Sequence, residues 1–274
     1  MSALSAMGDA AVVAKRNLIK IKRVPELLVF TTASPIMFVL LFAYVFGGAI
    51  GGSSEGAAAY REFLIAGIFA QTVVFGATIT GAGLADDVQK GVIDRFRSLP
   101  MSPSAVLTGR TLSDVANNVI VLVVMSVTGL LVGWRIRTSF GEALAGFVLL
   151  LVFAYAVSWI MAWVGLLVPS VEVVNQASFI VIFPITFVAN TFVPLETLPG
   201  ALKVFAEWNP VSAVTQAARD LFGNPDPQVL AGVVGPPTAW PLVNPELYTL
   251  IWSAIILAVF VPLTNAQYRR ATSR

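Results

Sequence analysis

The sequence has no cysteine and no histidine, and only 12% of its 274 residues are charged. Without cysteine there is no disulfide framework and no thiol nucleophile. Without either residue there is no Cys/His zinc site and no imidazole for acid–base chemistry. The chain also lacks a GxxxxGK(S/T) phosphate loop, and with it that route to binding ATP. Soluble domains carry about 25% charged residues. Half that density cannot cover a water-facing surface, so much of the surroundings must be lipid. The net charge of +2 is too small to imply nucleic acid as a partner.

What is present is apolar: 57% of the residues are hydrophobic. Charge-free intervals separate Glu26 from Glu55, Glu62 from Asp86, Asp114 from Arg135, Glu142 from Glu172, Glu172 from Glu196, and Glu246 from Arg269. Each holds the roughly 20 residues that cross a bilayer as a helix. The predicted spans are 27–48, 62–84, 114–133, 143–168, 173–193 and 247–266. Continuous apolar runs argue against a β-barrel, whose strands alternate. Lipid offers the backbone no partner, so the spans must be helical. The expected fold is an all-α membrane protein with six transmembrane helices. The interval from Pro227 to Pro245 contains five prolines, which forbid a regular helix and indicate an ordered external loop. Trp208 and Trp240 suit a membrane interface.

Six spans place both termini on one side, with 12 of the 17 Lys and Arg residues beside them and five opposite. The positive-inside rule then puts the termini in the cytoplasm and the chain in the cytoplasmic (inner) membrane. The first apolar run lacks a clear small-residue cleavage site and is expected to remain as a span. Residues 1–26 form the cytoplasmic N-terminus, 27–268 the transmembrane domain and 269–274 a cytoplasmic tail. Over 10–25, Ala11, Ala14, Leu18, Ile21 and Leu28 share a helical face opposite Lys15, Arg16, Lys20, Lys22 and Arg23. Such a helix lies in the headgroup plane, as a topology anchor or as an elbow that touches a cytoplasmic partner.

Two further segments carry pattern. Over 86–110, Lys90 and Asp94 stand at i,i+4 spacing, Val92, Ile93, Phe96 and Leu99 form an apolar ridge, and Pro100 ends any helix. The ridge either docks in a groove of another protein or packs on the ends of the chain's own spans. Beyond the fifth span, two short amphipathic helices fit at 198–207 and 210–222. Pro210 suits the first turn of the second and Gly223 its cap.

The run Asn175-Gln176-Ala177, then Phe192-Val193-Pro194-Leu195-Glu196-Thr197-Leu198-Pro199, Asn209-Pro210-Val211 and Ala218-Arg219-Asp220-Leu221, resembles the permeases of type-2 ABC exporters. It is most similar to the daunorubicin/doxorubicin-resistance permeases of actinobacteria. The loop Lys90-Gly91-Val92-Ile93-Asp94-Arg95-Phe96-Arg97-Ser98-Leu99-Pro100 is similar to that family's loop between spans two and three, and the likeness runs from about residue 15 to 268. The resemblance implies a permease paired with two copies of a separate ATPase, which carries the ATP and Mg; none is bound by this chain. It also implies a second copy of this permease or a paralogous one, and lipophilic drugs, antibiotics or lipids as substrates, with polysaccharide or glycolipid export as the neighbouring alternative. Lys90, Gly91, Val92, Ile93, Asp94, Arg95, Phe96 and Leu99 would form the coupling helix seated in the ATPase. The helices at 195–222 would be an external re-entrant pair.

The predicted spans hold no ionisable side chain in their interiors, so energy is expected from a partner rather than from a proton relay. Polar residues at depth include Gln71, Thr72, Thr78, Asn117, Asn118 and Asn190. Phe179, Phe183, Phe187 and Asn190 fall on one face of the fifth span by i,i+4 and i,i+3 spacing. That face, with Asn117, suits a large, flat, apolar solute; helix packing is the plainer reading of each residue. Gly129 and Gly133 form a small-xxx-small pair. A lipid-modifying enzyme would need catalytic carboxylate or histidine clusters, and Asp86-Asp87 stands without a partner cluster. No catalytic or metal residue is expected. A non-transporting membrane scaffold is the remaining reading from another class.

Overall fold

The structure, a computed structural model, describes residues 12–14, 19, 25–46, 54–97, 103–168, 170–192, 195, 198–226, 229 and 235–271. Among these residues the chain is helical and contains no strand. Helix α1 (Pro25–Leu40) runs into a π-helical turn, Leu41–Phe46. Then come α2 (Ser54–Gln89), α3 (Val92–Arg97), α4 (Pro103–Val132), α5 (Phe140–Leu167), α6 (Val171–Val188), α7 (Gly200–Glu207), α8 (Pro210–Phe222), α9 (Trp240–Val243) and α10 (Pro245–Ala271).

Five of these helices, α2, α4, α5, α6 and α10, are long and apolar enough to cross a membrane. The first predicted span corresponds to α1 and its π-helical turn, where the described apolar run Thr32–Val45 is shorter. Pro35 lies inside α1 and removes one backbone donor. α2 and α10 overrun the spans predicted for them at both ends, and α4 and α5 start before theirs. α2 has 36 residues, about 54 Å at 1.5 Å per residue, against a hydrocarbon core of about 30 Å. Charge-free intervals register only the part of a helix that lipid requires to be apolar; hydrogen bonding carries the helix beyond it.

Local chemistry sets several ends. Ser139 and Glu142 form a reciprocal capping box at the start of α5, and the Ser170 hydroxyl caps α6. Asn209 caps α8, Pro210 occupies its first turn, and Gly223 closes it at φ 71°. Gly133, at φ 107°, follows the end of α4 rather than packing inside it. Of the Gly129/Gly133 pair, only Gly129 makes a close approach, to Ile65 and Trp134.

α2 is the hub. Tyr60, Phe63 to Ala66, Ile68 to Ala70 and Val73 are all buried, so the helix is enclosed on every side rather than along one stripe. It packs on α5, α6, α8, α4 and α1, and α5 packs in turn on α10. At the α2–α5 contact a Cβ on Gly165 would lie 2.3 Å from the carbonyl oxygen of Gly81. The main core is built around α2. A second, smaller cluster joins Leu84, Ile93, Val106, Leu107, Trp159, Ala162, Leu166 and Tyr268 at the end of the bundle that carries α3.

α6 ends at Val188, five residues before the predicted limit, because Ala189 is extended. The turn that follows lies against α2, where a Cβ on Gly67 would meet the carbonyl oxygen of Thr191. α7 and α8 occupy the same end of the bundle, opposite α3. Arg219 of α8 is fully buried. It donates to the carbonyls of Phe63 (3.0 Å), Asn190 (2.6 Å) and Thr191 (3.1 Å) and stacks 3.4 Å over the Phe63 ring. Trp208 and Trp240 are exposed and set edge-on to Tyr248. Most of residues 10–25 lies outside the described residues; Val12 and Ile19, on the charged side of that pattern, are exposed.

Candidate functional site

A cavity of about 300 Å³ lies between α1, α2, α4 and α6. Its floor is polar and buried. Gln71 and Thr72 come from α2, and Asn117 and Asn118 from α4. Gly76 belongs to this floor because a Cβ there would sit 2.5 Å from Asn118 Oδ1. Thr78 turns its hydroxyl back to the Phe75 carbonyl at 2.7 Å. The mouth is aromatic: Phe38 from α1, and Phe179 and Phe183 from α6. Among the described residues, none that lines it is charged. A cavity of this size, mostly apolar with a few convergent polar groups, has the character of a small-molecule site.

The aromatic residues form a continuous series. Phe179 stacks on Phe183 with centroids 4.9 Å apart, Phe183 on Phe187 at 4.1 Å, and Phe187 packs on Phe192 at 4.9 Å. Phe192 then stacks on Phe42 at 4.5 Å and on Phe38 at 6.1 Å, which returns the series from α6 to α1. Each such pair contributes about 0.5–1.5 kcal/mol beyond burial. The series holds α6 against α1 and sets both aromatic walls of the mouth.

The structure thus brings Phe179, Phe183 and Asn117 to one cavity. Phe187 supports that wall from behind through Phe183. Asn190 stands apart: it follows the end of α6 instead of sharing its face. Its backbone N–H donates to Ser212 Oγ (3.2 Å) and its carbonyl accepts from Arg219. It lines a second cavity of about 200 Å³ with Glu207, Gln216, Asp220 and Asp226. Asn175 and Gln176 are exposed near the other end of α6. Phe38, Ser34 and Pro35 had no signal in the sequence as lining residues, because nothing local tells which helix α1 will face.

The segment at the opposite end differs in its start from the coupling helix that the resemblance implies for Lys90 to Leu99. α2 closes at Gln89, and Gly91 at φ 63° breaks the chain before α3 begins at Val92. Lys90 therefore pairs backward with Asp86 at 2.8 Å. Ile93 is buried in the second cluster, while Lys90 and Arg95 are exposed and Gly91 and Val92 are half-buried. The side chains of Asp94 and Phe96, and all of Leu99, lie outside the described residues.

A family model, the ABC-2 type transporter, matches residues 10–222. The chain belongs to the ABC-2 type transporter family. In these terms the matched region of this ABC-2 transporter chain takes in the cavity, α3 and the α7–α8 pair, and ends where α8 ends. Among curated proteins, the chain is 36% identical over 254 residues to the daunorubicin resistance ABC transporter permease protein DrrB1 of Streptomyces coeruleorubidus, covering 93% of this chain and 83% of that protein. It is 28% identical over 235 residues to the doxorubicin resistance permease DrrB of Mycobacterium tuberculosis, covering 84% and 79% respectively. It is 22% identical over 215 residues to the putative transport permease ycf38 of Cyanophora paradoxa, covering 78% and 73%.

Proposed function

We propose that this chain is the permease subunit of an ATP-driven exporter that moves lipophilic aromatic compounds outward across the cytoplasmic membrane. The observation that carries the reading is the uncharged cavity with its buried amide and hydroxyl floor and its wall of stacked phenylalanines. A flat aromatic solute meets ring faces at the mouth, and its oxygen-bearing edge finds hydrogen-bond partners in Gln71, Thr72, Asn117 and Asn118. A neutral cavity imposes no desolvation cost for charge on such a solute. The drug-resistance names of two relatives agree with this chemistry.

ATP is hydrolysed in this reading on two copies of a separate ATPase, and the permease works with a second copy of itself or a paralogue. The termini are cytoplasmic, so the segment holding Lys90, Gly91, Val92, Ile93, Asp94, Arg95, Phe96 and Leu99 faces the ATPase. Burial of Ile93 among residues of α2, α4, α5 and α10 supports this role, because a docked α3 would then pull on four helices at once. Substrate leaves past α7 and α8.

The test is daunorubicin binding to the purified protein. Phe183→Ala removes the ring between Phe179 and Phe187. It is expected to weaken binding by roughly tenfold, since a lost ring contact of about 1.4 kcal/mol is tenfold in affinity. ATPase co-purification should stay near wild type, while the loss of two ring pairs lowers the melting temperature by several degrees. Unchanged binding would return these rings to a packing role and remove the support for this cavity as the substrate site.

A further inference from the structure

The cavity is neutral, yet α4 carries two ionisable side chains just beyond its floor that the exporter reading leaves without a task. Asp114 lies three and four residues before Asn117 and Asn118, on the same helical face. Arg110 lies one turn further toward α3. Its Nη1 is 3.3 Å from Asp87 Oδ2, its Nε 3.8 Å from Asp114 Oδ2, and its Nη2 3.5 Å from the carbonyl oxygen of Ile79. Thr80 donates to Asp114 Oδ2 at 2.6 Å. Ile79 lines the cavity, and Asp87 stands near the last residue of α2. One guanidinium therefore touches both the base of the α3 segment and the floor of the cavity. It also closes the chain where it leaves α2 and re-enters as α4.

The grip of this guanidinium is loose. The exposed pair Arg137–Glu62 is bidentate at 2.7 and 2.8 Å, whereas every Arg110 contact is 3.3 Å or longer. The buried Arg110 Nε–H has no hydrogen bond among the described residues. An unmade hydrogen bond on a buried cation is costly, and charge-assisted bonds ordinarily close to about 2.7–2.9 Å. The arrangement leaves a tighter one on either side: a full bond to Asp114 that loosens Asp87, or a full bond to Asp87 that loosens the cavity floor. Gly83 provides the room for this exchange, since a Cβ there would collide with Arg110 Nη2.

We propose that Arg110 is the positioning residue that couples the α3 docking segment to the substrate cavity, by trading its hold between Asp87 and the Asp114–Thr80 pair. The inference rests on the exporter reading above. Movement of α3 by the ATPase shifts the end of α2, and with it Asp87. The guanidinium follows, and Ile79 and Asp114 change their distance across the cavity floor.

The test uses the permease–ATPase complex in lipid nanodiscs with daunorubicin as probe. Gly83→Ala displaces the guanidinium without removing a charge. Asp87→Asn removes the docking-side partner while Arg110 and Asp114 still neutralise each other, and Asp87→Glu restores the carboxylate. Three quantities are read: ATPase retained on purification, daunorubicin bound, and daunorubicin stimulation of ATP hydrolysis. The expected result is wild-type retention and binding in both Gly83→Ala and Asp87→Asn, with stimulation reduced roughly tenfold or more, and recovery in Asp87→Glu. Stimulation near wild type in both variants would overturn the proposal. So would a parallel fall in all three readouts, which marks a merely structural contact. If the wild-type protein retains no ATPase or binds no daunorubicin, the exporter reading itself fails, a result the variants alone cannot produce.

Discussion

Arg219 shows what one residue contributes. Its fully buried guanidinium is surrounded by three backbone carbonyls and a ring face. Those carbonyls belong to α2 and to the turn after α6, so this single side chain fastens α8 to both. Tyr60 adds a neighbouring tie, donating to the Phe192 carbonyl at 3.0 Å. Lysine has the charge but not the planar fork, and leaves at least one carbonyl without a donor. Arg219→Lys is expected to destabilise the detergent-purified protein by about 2–3 kcal/mol, a drop of roughly 5–10 °C in Tm. Arg135→Lys serves as the control. Arg135 is exposed, its guanidinium donates to the nearby carbonyls of Leu130 and Trp134, and its replacement should stay within about 0.5 kcal/mol. Equal melting curves for the two would deny Arg219 the fastening role.

At the scale of elements, the decisive contact is the crossing of α2 and α5, where no side chain separates the backbones at Gly81 and Gly165. Membrane helices gain little from apolar burial against each other, because lipid is as apolar as their own side chains. Close backbone approach through small residues supplies the packing instead. Gly165→Ala places a methyl group against a carbonyl oxygen that cannot rotate away, at an expected cost of about 1–3 kcal/mol. Gly141→Ala, in the first turn of α5 with nothing within 4 Å, should be neutral or stabilising by up to about 1 kcal/mol. Thermal unfolding of the two variants side by side checks the contrast. The elements also show why α3 is separate from α2. The apolar ridge over 92–99 is visible in the sequence, but the break at Gly91 is a matter of backbone angle, and it redirects Lys90 toward Asp86.

At the scale of the whole molecule, polar ties sort the helix ends into two groups. Glu62 with Arg137, Arg61 with the Val132 carbonyl, and Thr138 with the Leu221 carbonyl gather the start of α2, the end of α4, the start of α5 and the end of α8. Gln89, α3 and the start of α4 stand at the other end. In the orientation proposed above, the second end is the cytoplasmic one. Cysteines introduced at Gly141 and Gly200, where a Cβ meets nothing within 4 Å, should react with a membrane-impermeant maleimide on intact cells. A cysteine at Gln89 should react only after permeabilisation. Labelling of Gln89→Cys from outside would reverse the orientation and carry α3 away from any cytoplasmic ATPase.

Some of this was determined by the sequence alone. Scarce charge, long apolar runs and the order of prolines and caps fix an all-helical membrane chain, the approximate spans, and the α7–α8 pair, with Pro210 and Gly223 at the ends of α8. These are local properties: a 20-residue apolar run must be helical in lipid whatever surrounds it, and a cap acts within one turn. The cavity was half legible. Phe179, Phe183 and Asn117 carry the right chemistry at the right depth, and periodicity puts the phenylalanines on one face. Periodicity could not show that α6 stops at Val188, which moves Asn190 out of the group, nor that Phe38 completes the mouth. It also could not show that the helix begins well before Asp114 and takes in Arg110, because charge-free counting starts the span at Asp114. Only the tertiary structure decided these points, because each depends on which backbones approach closely enough for a glycine to be required and which buried donor finds which carbonyl. Those choices are made by contacts between residues as far apart as Phe63 and Arg219, and no local pattern encodes them.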